Sequence, residues 1–105
     1  MGGGFSELGR FSEPALYILI SLADGPKHGY AMIEDIERIA GTRLGPGTLY
    51  GALARLERLG LIEAMASDER RRPYRLSSIG LTTLRAELES LQRIAETGLR
   101  RVVST

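Results

Sequence analysis

Cysteine and tryptophan are absent from this chain of 105 residues, and histidine occurs once, at His28. Without cysteine there is no disulfide framework, no thiolate nucleophile and no cysteine-ligated zinc, and nothing points to an oxidising compartment, so a cytoplasmic location is expected. A single histidine leaves no motif that pairs a nucleophile with its base and too few ligands for a metal site; no enzyme activity, metal or cofactor is expected. No apolar run approaches the roughly 20 residues of a membrane span, so a membrane partner is not expected either. The opening "MGGGFSELGRF" also lacks the basic and then apolar pattern of a signal peptide, and residues 1–11 read as a flexible leader. The net charge of +1 is too small to announce a nucleic-acid binder by its total. Any such case rests on where the charges sit.

Apolar residues make up 43% of the chain and charged residues 26%, which is the balance of one small globular domain. Ser12 stands where a helix cap would, followed by Glu13 and Pro14 in a first turn, and "ALYILISLA" then runs apolar on nearly every face to Asp24. A helix buried on two sides in so small a domain implies a second chain against Leu16 and its neighbours. "DGPKHG" (24–29) reads as a turn. The helix over 30–40 places Ile33, Ile36 and Ala40 inward and ends at Gly41. His28 and Tyr30 at its start take structural readings, and Met32 and Met65 are core candidates.

Residues 44–62, "LGPGTLYGALARLERLGLI", carry a third helix with Leu49, Leu53 and Leu56 on one face, flanked by Ala52 and Leu59, and Gly60 as its stop. At 100° per residue the outward side holds Gly47, Tyr50, Gly51, Ala54, Arg55 and Arg58. An ordinary solvated face would carry Glu, Lys and Gln, and each glycine gives up about 1 kcal/mol of helix propensity relative to alanine. Small residues there let a DNA backbone approach the helix N-terminus, where Thr48 and Tyr50 add hydroxyls and Arg55 and Arg58 add charge. The competing reading is a glycine-rich turn with Tyr50 half-buried against a neighbour.

Beyond Gly60, "LIEAMA" (61–66) and "PYRLS" (73–77) are strand candidates joined by the polar "SDERRR". Arg70, Arg71, Arg72 and Arg75 face Asp68 and Glu69 in that hairpin, with Tyr74 interleaved. Such a basic tip suits backbone contact with DNA, or is a solvated turn. From 78 to about 102, Leu81, Leu84, Leu88, Leu91, Ala95 and Val102 recur at steps of three and four, broken at Gly98. That seam calls for a partner helix and makes Leu16, Leu84, Leu88, Leu91 and Ala95 the expected dimer interface. Ile18, Leu22, Leu88 and Leu91 could alternatively line an apolar effector cavity, or be plain dimer core.

The expected architecture is therefore mainly α with a small β-hairpin: a winged helix-turn-helix domain over 12–77 and a long dimerisation helix over 78–105. Two function classes fit it, a regulator that binds double-stranded DNA and a winged-helix module that binds only protein.

"HGYAMIEDIE" (28–37), "GPGTLYGALARLERLGLIE" (45–63) and "RRPYRLSSIG" (71–80) resemble, in order and spacing, three blocks of the PadR family of bacterial transcriptional regulators. The resemblance covers about residues 13–102, and the short C-terminal part looks like the members that end in a single dimerising helix. It implies a homodimeric repressor on an inverted-repeat operator, released by a small apolar or aromatic effector. Gly47, Thr48 and Tyr50 fall where members touch DNA, and Arg70, Arg71 and Arg72 fall on the wing. Two departures stand out: Gly45 replaces a serine common in the family, and the wing lacks the glycine that usually precedes its basic residues. The tryptophan with which some short members sandwich flat molecules is missing as well.

Overall fold

A computed structural model describes residues 11–67 and 71–104. The elements run α1 (Glu13–Ala23), α2 (Gly29–Ala40), α3 (Pro46–Arg58), β1 (Ile62–Ala64), β2 (Tyr74–Leu76) and α4 (Ser78–Ser104). This is the winged-helix order expected from the sequence, with a shorter hairpin and a helix that continues unbroken through Gly98.

One core serves all six elements. Ile18 and Leu19 of α1, Met32 and Ile36 of α2, Leu49, Leu53 and Leu56 of α3, and Ile62 of β1 are all fully buried. Their spacing of three and four along each helix is what turns one stripe inward. The helices stop where the chain needs a left-handed residue: Gly41 (φ 70°) after α2 and Gly60 (φ 76°) after α3 adopt a conformation that a side chain would strain. Ser12 does occupy the N-cap position of α1, but its side chain makes no cap bond.

The expectation for α1 needs correction. Its second side packs within its own chain, against α2, α3, β2 and the start of α4, leaving Leu16, Tyr17 and Ile20 only partly buried. The long helix is the reason. Its first two turns fold back over α1, burying Gly80 and Leu84, so residue 78 is no boundary in packing terms. The joint is built from the Ser77 hydroxyl and backbone groups. Ser77 Oγ donates to the Gly60 carbonyl (2.6 Å) and accepts from the Gly80 N–H (3.0 Å), while the Ser77 N–H donates to the Leu61 carbonyl (3.1 Å). A Cβ on Gly80 would fall on the Leu61 carbonyl oxygen and lie 2.9 Å from its carbon, so only glycine fits.

The polar clamp between α1 and α2 left no trace in the sequence reading. Ser21, buried in an otherwise apolar helix, donates to Asp35 (2.7 Å), which also pairs with Arg38 (3.1 Å) and lies 3.9 Å from Lys27. Lys27 in turn donates to the Ser21 carbonyl at 2.5 Å. The Ser21 hydroxyl, helped by the charges of Lys27 and Arg38, holds the Asp35 carboxyl below its ordinary value against the opposing effect of burial.

Candidate nucleic-acid interface

α3 begins with Gly45 at the cap, where no side chain bonds to the helix, and Pro46 at its first turn. The first backbone bond closes from the Leu49 N–H to the Gly45 carbonyl (3.0 Å), which leaves the Gly47 and Thr48 N–H groups pointing out of the helix N-terminus. Leu49, Ala52, Leu53 and Leu56 fasten α3 to the core. Everything the sequence put outward is outward: Gly47, Thr48, Ala54, Arg55 and Arg58 are exposed, Tyr50 is half-exposed, and Gly51 is only partly covered.

The glycines divide into two kinds. At Gly29 and Gly80 a Cβ would collide with this chain, whereas at Gly45, Gly47 and Gly51 it would meet nothing within 4 Å. Internal packing therefore explains the first pair and does not explain Gly47 or Gly51, which sit inside a helix at a cost in propensity.

The wing stands beside α3. Its register pairs Ile62 with Leu76, Glu63 with Arg75 and Ala64 with Tyr74. The side chains of Glu63 and Arg75 form an ion pair across it (3.1 Å), so Arg75 is already compensated. Among the described residues, Arg55, Arg58, Arg71 and Arg72 form no ion pair. Arg70 lies outside the described residues. Tyr74 is half-buried, and burial, followed by the charge of Glu57, raises its phenol above the ordinary range.

A third strand position, missed in the sequence, ties the wing to the turn before α2. Lys27 and Tyr74 exchange both backbone bonds, N–H to carbonyl at 3.1 and 2.9 Å. That bridge brings His28, Tyr50, Arg71, Arg72 and Tyr74 around one cleft of about 240 Å³. Tyr50 reaches it by crossing Gly29, where a Cβ would lie 2.8 Å from the Tyr50 ring carbon Cζ. Tyr30, expected to pack, is instead half-exposed, because it lies off the stripe of α2 that buries Gly29, Met32, Ile33 and Ile36; Met65 is half-buried at the wing.

The family model for PadR-like transcriptional regulators matches residues 18–86, which include α2, α3 and both wing strands. The chain belongs to the PadR-like family of transcriptional regulators. Members of this family are DNA-binding regulators and not enzymes. The PadR-like chain is 35% identical over 83 residues to the transcriptional regulator Rv3488 of Mycobacterium tuberculosis, covering 76% of this chain and 77% of that one. It is also 44% identical over 86 residues to an uncharacterized 37.1 kDa protein in transposon TN4556 of Streptomyces fradiae; this covers 82% of the chain but only 25% of that much longer relative. Among solved structures, a PadR family transcription regulator from Clostridium difficile superposes with a TM-score of 0.79 at 23% identity, over 87% of this chain and 99% of that one. A transcriptional regulator from Clostridium thermocellum superposes at 0.72 with 27% identity, over 83% and 87% of the two chains. Both share the winged-helix fold of the PadR-like chain.

The residues expected at a dimer or effector site separate in this PadR-like fold. Ile18 and Leu22 have almost no surface, and Leu84 is 3% exposed in the core of its own chain, because the start of α4 closes over α1. Ile18 therefore presents no surface outside the core of its own chain, and Leu84 is offered to a partner at most as the floor of a groove. Leu88, Leu91 and Ala95 keep exposed surface, as do Ile94, Leu99 and Val102 further along. Among the described residues, no helix is long and apolar enough to cross a membrane.

Proposed function

We propose that the protein is a homodimeric repressor that binds an inverted-repeat operator, with α3 in the major groove and the wing on the adjacent backbone. The observation that carries this reading is the outward face of α3. Gly47 and Gly51 stand there with open space where a Cβ would go, next to Thr48 and Tyr50, and no contact among the described residues requires them. A ligand whose backbone must come close to the helix supplies the missing reason. Arg55 and Arg58 on the same helix, with Arg71 and Arg72 on the wing, add four cations that no carboxylate among the described residues compensates.

α4 supports the reading of two copies. Its 27 residues span about 40 Å at 1.5 Å per residue, and only its first turns are covered by its own chain. Leu88, Ile94, Leu99 and Val102 are 37, 54, 66 and 69% exposed, an apolar surface suited to the same helix of a second copy. Release by a small effector would have room in the groove of about 230 Å³ that Ala23, Leu81, Leu84 and Leu88 line together with Arg85, Glu89 and Gln92.

Selection from a pool of random duplexes with the purified protein tests the reading. An enriched inverted repeat with half-sites centred about 34 Å apart is expected. Absence of enrichment even at low salt would refute it and favour a module that binds protein alone.

A further inference from the structure

His28, read from the sequence as a structural residue at the start of α2, accepts the Met32 N–H with its carbonyl (3.1 Å) but does not fasten its ring in the same way. Its Nδ1 is buried without a hydrogen-bond partner among the described residues, and although His28 occupies the N-cap position its side chain does not cap the helix. Buried polar groups are ordinarily satisfied, because an orphan forfeits the hydrogen bonds that water gave it. The orphan gives the ring no fastening to its own chain, and the ring lies beside open space. It forms part of the wall of two neighbouring clefts, one of about 350 Å³ shared with Lys27, Ser67 and Arg71, and the cleft of about 240 Å³ shared with Tyr50, Arg71, Arg72 and Tyr74. With Nδ1 enclosed, Nε2 is the ring nitrogen that these clefts can use.

The chemistry of the lining is one-sided. Two guanidinium groups, two phenols and an imidazole surround the smaller cleft, and among the described residues no carboxylate lines either one. That is a set of hydrogen-bond donors with positive charge, matched to the unesterified oxygens of a phosphate diester. The cleft is also held in shape. Gly29 clears the path of Tyr50, and the paired backbones of Lys27 and Tyr74 fix the wing against the turn that carries His28.

We propose that this cleft seats one backbone phosphate in each bound half-site and that His28 donates to it through Nε2. The proposal rests on the DNA-binding reading above and adds a group that neither α3 nor the wing supplies. It also fixes register, since the phosphate then lies between the groove entered by α3 and the backbone reached by the wing.

The test uses the full chain and the duplex enriched by selection, with single methylphosphonate substitutions scanned along it. His28→Phe keeps a ring and removes the donor, His28→Ala only removes atoms, and His28→Gln restores an N–H near the Nε2 position. Loss of one charge-assisted bond is expected to weaken binding about tenfold in the Phe and Ala variants, with thermal melting unchanged, and Gln should recover to within about threefold of wild type. At one position per half-site the methylphosphonate should weaken wild-type binding by a larger factor than it weakens the Ala and Phe variants, in which only the arginines and tyrosines of the cleft are left to feel the change. Equal sensitivity of wild type and variants at every position, or undiminished binding by both variants, would overturn the proposal while leaving the DNA-binding reading intact. If no duplex is enriched, both fall together.

Discussion

Gly51 offers a perturbation whose effects on stability and on binding should have opposite signs. It lies in the middle of α3, and a Cβ built there meets nothing within 4 Å. Gly51→Ala should therefore stabilise the fold by about 1 kcal/mol, the difference in helix propensity, because no neighbour is displaced. For a domain of this size that is a rise in Tm of about 4–8 °C, compared at one protomer concentration because a dimer's Tm depends on it. Gly51→Leu should also fold and melt no lower than wild type, since its side chain extends into solvent from an already open position. On DNA the same leucine stands between α3 and the groove. Lifting the helix by a side chain's depth breaks the contacts of Thr48 and Tyr50 together, and at least about 3 kcal/mol, roughly a hundredfold in Kd, should be lost. Thermal melting and fluorescence anisotropy with the selected duplex read the two effects separately. A lower Tm for Gly51→Ala would refute the packing argument, and undiminished binding by Gly51→Leu would show that this face never meets DNA.

Gly80→Ala should do the reverse of Gly51→Ala, destabilising by at least about 3 kcal/mol in urea titration, because its Cβ would meet the Leu61 backbone rather than a side chain that can move. Asp35 makes stability pH-dependent. Its carboxyl is held below the ordinary value, chiefly by Ser21, so its contribution is complete above about pH 4 and disappears as pH falls through the lowered folded-state value. Urea midpoints measured from pH 6 down to 3 should fall less steeply for Asp35→Asn than for wild type. Replacing Arg71 and Arg72 together with glutamate should lower the slope of log Kd against log salt by about 2, roughly 0.9 for each phosphate contact removed. An unchanged slope would place the wing away from the backbone. Leu99→Glu should shift the dimer toward monomer in sedimentation equilibrium, whereas a dimer indifferent to it would mean that the outer half of α4 is not the interface.

α2 and α3 were legible because each announces itself twice, by an apolar stripe at steps of three and four and by glycine or proline at its ends, as at Gly41, Pro46 and Gly60. The outward face of α3 was legible for the same reason: once Leu49, Leu53 and Leu56 are inside, geometry leaves no choice for Thr48, Tyr50 and Gly51. Pairings made by backbone were not. Lys27 and Tyr74 bond through main-chain groups that every residue possesses, so no side-chain pattern marks the bridge that completes the cleft. Gly80 looked like one more residue of a family block, although its reason is the carbonyl of Leu61, nineteen positions away. Periodicity likewise says that Leu84 and Leu88 share a face without saying what covers it. The fold places Leu84 against its own α1 and leaves Leu88 with exposed surface. Ser21 was hidden by its setting, a single hydroxyl in an apolar helix whose partner Asp35 is fourteen residues on.

The absence of cysteine makes a direct test of the DNA face simple. Arg55→Cys introduces a unique thiol on the outward side of α3, to which an iron-chelate cleavage reagent can be attached. On the selected duplex the labelled protein should cut at two places about 34 Å apart, one in each half-site, as two recognition helices on one face of the DNA require. Full occupancy of the duplex without cleavage, or cleavage scattered evenly along it, would contradict the placement of α3 in the groove.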